Sequence, residues 1–176
     1  MVNKKIYVVL TQTYSYVART IKLVTSKEYS HVSISFDREF NNMYSFGRKI
    51  HWLPLPGGFI VEDINKGLFA KHESALIKVY EVDVTDKQYK NIKKVIEDIM
   101  VNNKGYNLAG LFLAYFKIKL NRNKYYCSEF VYEVLSDSSV GILDSDVIRF
   151  QPEEIIDNEC FHEVYEGKIK DYIRTL

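Results

Sequence analysis

The stretch Lys124-Tyr-Tyr-Cys-Ser-Glu-Phe-Val-Tyr-Glu-Val-Leu135 constrains the fold more than any other part of the chain. Cys127, Phe130, Val131, Val134 and Leu135 stand at i, i+3, i+4, i+7 and i+8, the spacing of one buried helical face. A helix with such a face must pack against a partner layer, so a core has to be built around it. Cys127 opens that face, where first-turn backbone N–H groups are unsatisfied and the helix dipole is positive. A thiol so placed is favoured as thiolate, the form that attacks carbonyl carbons. On position alone, a small buried residue beginning a core helix is the better reading. Free cysteine is among the most buried residue types, and most buried cysteines are inert.

The chain has 176 residues, enough for a single domain with a full core, and one domain spanning 1–176 is expected. Hydrophobic residues at 47% and charged residues at 27% place it among ordinary globular proteins. The net charge of +1 lacks the basic excess of nucleic-acid binders, so no nucleic-acid partner is expected. Cys127 and Cys160 have no paired spacing, which argues against a disulfide framework and suits a reducing compartment. The apolar run ending at Leu10 passes into Thr11-Gln-Thr13 and reads as a first strand, not as a secretory leader. Leu108 to Phe116 is shorter than the ~20 residues a membrane helix needs. The expectation is a soluble cytoplasmic protein with no integral membrane segment.

Lys5 to Thr11 reads as a buried strand and Tyr14 to Thr25 as a helix with Val17, Ile21 and Val24 on one side. Tyr29-Ser-His-Val-Ser-Ile-Ser-Phe-Asp37 alternates strictly, with His31, Ser33 and Ser35 on one face and Val32, Ile34 and Phe36 on the other. Asn41-Asn42 marks a turn, and Met43-Tyr-Ser-Phe46 returns as the second strand of a hairpin. Ile50 to Gly58 reads as a loop, with Trp52 as either a core anchor or a lip over a groove. Ala75 to Val84 is another strand. Thr85 and Gln88 form a capping box that opens a helix with Tyr89, Ile92, Ile96 and Ile99 inward, ending near Gly105. Tyr106 to Leu120 reads as a more apolar helix. A loop from Ser136 to Asp146, a helical turn at Pro152 to Asp157 and a strand at Phe161 to Tyr165 complete an α+β domain.

A cysteine nucleophile needs a base, usually His, and a group that orients the base. His51 and His72 lie in polar, loop-like surroundings. Cys160 and His162 resemble half a metal site, but zinc sites need four ligands in repeated close spacing, and none is present. His31 differs, since it opens an alternating strand on the side shared with two serines. A lone strand histidine is more often structural, so His31 and Cys127 gain weight only as a pair.

Ser30-His-Val-Ser-Ile-Ser-Phe36, Met43-Tyr-Ser-Phe-Gly47 and Tyr125-Tyr-Cys-Ser-Glu-Phe-Val131 together resemble the circularly permuted papain-like hydrolases. These form the permuted branch of the NlpC-type superfamily, and the likeness is closest to its YiiX-like group. In unpermuted relatives the cysteine helix precedes the histidine strand, whereas here His31 comes first and Cys127 last. The resemblance runs roughly from Ile6 to Val134. It implies a permuted papain-like α+β fold, a mostly antiparallel sheet packed against helices, with Cys127 as nucleophile and His31 as general base. Tyr106 resembles the family tyrosine whose hydroxyl points into the site, and it also fits a core aromatic at a helix start. Ser45 falls where the family places His, Asn, Gln or Glu to orient the histidine. Its hydroxyl can accept a ring N–H but cannot stabilise an imidazolium as a carboxylate does.

The resemblance implies a thiol hydrolase or acyltransferase acting on an amide or ester, with no metal or organic cofactor. The substrate class is a small peptide or an acyl-lipid. Leu111-Phe-Leu-Ala-Tyr-Phe116 is either core or one wall of an acyl groove. Two rivals stand beside this: a non-catalytic peptide- or lipid-binding module, favoured by Ser45, and an interaction protein that uses the aromatic loop around Trp52.

Overall fold

The computed structural model describes residues 4–12, 28–49, 57–72, 74–102, 105–106, 124–141 and 160–176. Strands β1 (Lys4–Gln12), β2 (His31–Ser35), β3 (Met43–Arg48), β4 (Gly57–Glu62), β5 (Leu76–Val84) and β8 (Phe161–Lys168) form one sheet in the order β4-β3-β2-β1-β5-β8. Every neighbouring pair in it is antiparallel. Two short strands, β6 (Gly105–Tyr106) and β7 (Lys124–Tyr125), pair in parallel beside it. The helices among the described residues are α1 (Gly67–Lys71), α2 (Asp86–Val101), α3 (Cys127–Asp137) and α4 (Ile169–Ile173).

Pairing on both sides makes β1 a central strand, and its Ile-Tyr-Val-Val-Leu run is buried on both faces. Ile6, Val8 and Leu10 join Val32, Ile34 and Phe46 against the inward stripes of α2 (Ile92, Ile96, Ile99) and α3 (Phe130, Val131, Val134, Leu135). Tyr7, Val9, Ile77 and Val79 point to the other face. There the cover comes from Phe40, Ile64, Phe69 of α1, and Ile169 and Tyr172 of α4. Phe40 stacks on Tyr172 at 5.1 Å between ring centres.

The hairpin of β2 and β3 forms as the alternation requires, with Ile34 opposite Tyr44 and Ser35 opposite Met43. The capping box at Thr85 and Gln88 is present in both directions. The helix it opens stops at Val101 and not near Gly105. Its apolar stripe runs out at Ile99, and the Met100 and Val101 side chains that follow are exposed, so no burial carries the helix further. Gly57 and Gly58, read as the end of a loop, begin β4. The short helices α1 and α4 carry too few residues to show a period. Tyr106, expected to open a helix running to Leu120, instead pairs in β6; the rest of that helix, the expected helix at 14–25 and the turn at 152–157 lie outside the described residues, as do Trp52 and the Leu111–Phe116 stretch. None of the helices among the described residues is long and apolar enough to cross a membrane.

Phe46 joins sheet to helix. Its ring lies 5.4 Å from that of Phe130 on α3 and 5.1 Å from that of Tyr125 on β7, and it is 1% exposed. Phe46→Ala is expected to cost about 3–5 kcal/mol of stability, the range for emptying a buried aromatic site. Chemical denaturation checks this, and a loss below about 1 kcal/mol contradicts the packing described.

Candidate active site

The cysteine helix begins where its sequence period begins. Tyr126 is its extended N-cap, with φ −113° and ψ 172°, and supplies no side-chain cap. The first helical bond runs from Phe130 N–H to the Tyr126 carbonyl at 3.0 Å. The N–H groups of Cys127 to Glu129 therefore have no acceptor within the helix, and the Glu129 carboxylate in that first turn complements the dipole. The segment before the helix is held by Tyr125, whose hydroxyl donates to Glu133 one side of α3 further on. Burial, and then that carboxylate, push the Tyr125 phenol well above its ordinary range.

His31 is the first residue of β2 and Cys127 the first of α3. The core face of α3 packs on the Val32 and Ile34 side of the sheet, and the thiol and ring meet where strand and helix both begin. Three interactions act on the ring. Nε2 lies 2.8 Å from Oε2 of Glu62 on β4, and the Cys127 thiol is near enough to the ring to help raise its pKa. Ser33 Oγ lies 3.4 Å from the same Nε2, and it donates to Glu62 Oε2 at 2.9 Å. The His31 and Glu62 side chains are only 18% and 16% exposed, and Cys127 is 7% exposed. Burial opposes a charged ring. The Glu62 carboxylate, with its hydrogen bond, and the nearby Cys127 thiol outweigh it and hold the His31 pKa well above the ordinary imidazole value.

Ser45 is not the partner of His31. It is fully buried and its hydroxyl donates to the Val32 carbonyl at 2.7 Å. The reason is register. Continuing the β2–β3 pairing sets Ser45 opposite Ser33 and Gly47 opposite His31. A short hydroxyl at that place meets the neighbouring backbone before it meets the ring. The longer Glu62 side chain reaches the ring from one strand further out. Sequence reasoning missed Glu62 because it placed no strand after Gly58. The signal was Phe59-Ile-Val61, a strand-forming triplet directly before the carboxylate. Ser33 was already legible as a residue on the same face as His31 two positions on.

Tyr106 pairs with Tyr125 in the β6–β7 ladder, two residues before Cys127; its side chain lies outside the described residues. Cys160 is half-buried and His162 exposed on β8. Both cysteines are free thiols.

No protein-family model and no curated protein sequence matches the chain. The fold does match a solved structure, that of the metalloprotein YiiX from Escherichia coli O157:H7. The TM-score is 0.57 at 14% identity, over 94% of this chain and 98% of that one. The likeness lies in the fold. That protein is described as a metalloprotein; the described residues of this chain do not form a metal site. Nε2 of His31 and Oε2 of Glu62 are spent on each other. No group of three or more His, Cys, Asp or Glu among the described residues is arranged to hold an ion.

Folding raises the His31 pKa, so its contribution to stability is complete below about pH 6.5, the unfolded value, and fades as pH rises through the folded value. Glu62→Gln removes the carboxylate and leaves the burial. NMR titration of the His31 ring is expected to show the midpoint falling in that variant, with the stabilisation lost at correspondingly lower pH. An unchanged midpoint contradicts the role of Glu62.

Proposed function

We propose that the chain is a thiol hydrolase or acyltransferase of the circularly permuted papain-like type, working as one domain over residues 1–176. The observation that carries this reading is one imidazole paired with the Glu62 carboxylate at 2.8 Å whose pKa is also raised by the thiol that opens α3. The order of His31 before Cys127 and the likeness of fold to YiiX support the permuted arrangement.

Glu62 accepts the Nε2 proton of His31 and is itself steadied by the Ser33 hydroxyl. That leaves Nδ1 for the thiol and sets the tautomer needed to take its proton. The raised His31 pKa favours imidazolium beside thiolate. Cys127 Sγ attacks an amide or ester carbonyl carbon, and the carbonyl π pair moves to oxygen. The Cys127 backbone N–H at the helix start is the donor for that oxyanion, and by the family resemblance the Tyr106 hydroxyl is a second. As the tetrahedral adduct collapses, His31 gives its proton to the departing amine or alcohol. Water or another acceptor then attacks the thioester, its proton passing to His31, and Cys127 leaves as thiolate. Glu62 acts through His31 and is a positioning residue.

Ser45 was the feature that favoured a non-catalytic binding module, and Glu62 takes that support away, since a carboxylate orients and stabilises an imidazolium. The free thiols of Cys127 and Cys160 suit a reducing, cytoplasmic setting.

The test is a panel of peptide, ester and thioester substrates. Cys127→Ala is expected to abolish turnover with the fold intact, His31→Ala to lower it about 10²–10⁴-fold, and Cys160→Ala to leave it nearly unchanged. Turnover that survives in pure Cys127→Ala removes the nucleophile, and a comparable loss in Cys160→Ala points to different chemistry.

A further inference from the structure

The strand β1 runs through Ile6-Tyr-Val-Val-Leu10 and then becomes polar at Thr11, which is still only 1% exposed. Thr11 Oγ1 is buried and makes no hydrogen bond with any group of the protein. Register fixes where it stands. Thr11 is the Cα partner of His31, so the two side chains share one face of the sheet. Directly opposed residues on antiparallel strands have Cβ atoms about 4.5–5.5 Å apart. Glu62 reaches the ring from β4, on one side of β2, and Thr11 stands on β1, on the other. A buried hydroxyl without a partner is destabilising. Valine has nearly the same shape and no such cost, and Val8 and Val9 show that this strand accepts it. A hydroxyl at position 11 therefore points to a partner outside the chain, beside the His31 ring.

We propose that Thr11 is a further catalytic residue, whose hydroxyl holds the water that hydrolyses the acyl-enzyme. The proposal rests on the thiol reading above and makes the reaction a hydrolysis, not a transfer to another acceptor. At cross-strand spacing, two polar groups that do not bond each other directly are within reach of one bridging water. Glu62 occupies Nε2 of His31 throughout. Once Cys127 carries the acyl group, its sulfur no longer engages the ring, and Nδ1 is free to accept from that water. Nδ1 takes one water hydrogen and Thr11 Oγ1 the other, which leaves the oxygen lone pairs for the thioester carbonyl. The water oxygen bonds to the carbonyl carbon, the π pair moves to the carbonyl oxygen, and the water proton passes to Nδ1. When the adduct collapses, the C–S bond breaks with its electron pair staying on sulfur. The products are a carboxylic acid and the thiolate–imidazolium pair that began the cycle.

The experiment uses the full chain and p-nitrophenyl acetate, an activated ester that acetylates a reactive thiol and releases p-nitrophenolate. The burst of p-nitrophenolate gives the rate of acetylation, and mass spectrometry of acetyl-Cys127 gives the rate of its decay. In Thr11→Val the burst is expected to keep its rate within about twofold while the decay slows about tenfold, the scale of one lost hydrogen bond. Thr11→Ser keeps the hydroxyl and restores the decay. Chemical denaturation of Thr11→Val is expected to give a midpoint equal to or above that of the unmodified chain, because a buried unpartnered hydroxyl is removed. An unchanged decay in Thr11→Val overturns the proposal, and so does equal slowing of burst and decay, which marks a residue that only places the ring. A lowered midpoint shows that the hydroxyl has its partner within the chain and overturns it as well. If no acetyl-Cys127 forms in the unmodified chain, the thiol reading is overturned and the proposal falls with it.

Discussion

A charged imidazole survives in a mostly buried position only when an anion faces it, and at His31 that anion is Glu62. Burial alone would lower the ring's pKa; the Glu62 carboxylate and the nearby Cys127 thiol outweigh it and hold that pKa well above the ordinary value. The geometry around the ring follows from this need. Three strands must hold their register for the ring and carboxylate to meet at 2.8 Å, and Ser33 supplies a second hydrogen bond to the same carboxylate oxygen. A half-satisfied buried network is costly, so each member holds the others in place.

The two sides of the site come from different layers. The sheet carries His31, Ser33 and Glu62 as a rigid group, while the thiol arrives on α3, which shares no backbone hydrogen bonds with β2. Aromatic packing carries the alignment between layers: Phe46 against Phe130 and Tyr125, and Phe59 against Phe130. A shift of α3 along the sheet would break these contacts before it moved the thiol far from the ring. Serine is tolerated at position 45 for the same reason. It serves the sheet through its bond to the Val32 carbonyl and leaves ring orientation to β4.

Much of this was legible in the residues. Five apolar positions at helical spacing located α3 and put Cys127 at its start, and strict alternation located β2 and set His31 and Ser33 on one face. Capping chemistry at Thr85 and Gln88 gave the start of α2 to the residue. Glu62 was not legible, because its strand opens with two glycines, which normally signal a turn, and because contact with His31 skips over β3. Alternation indicates which face a residue uses. It says nothing about a partner two strands away, which depends on register and side-chain length. Ser45 was misassigned on that account: its face was right and its reach was not. The short helices α1 and α4 escaped because a turn or so of helix shows no period, and their burial is decided by Phe69, Ile169 and Tyr172 closing the second core.

The central claim is that His31 activates Cys127, and the most direct measurement is the rate at which iodoacetamide labels each thiol at pH 7 in the unmodified chain and in His31→Asn. Burial pushes the Cys160 thiol up and slows its labelling whatever His31 does, so the variant decides the matter. The account predicts that Cys127 labels well ahead of Cys160 and that most of this lead disappears in His31→Asn. Equal labelling of the two thiols, or a lead that survives the loss of the imidazole, would contradict it.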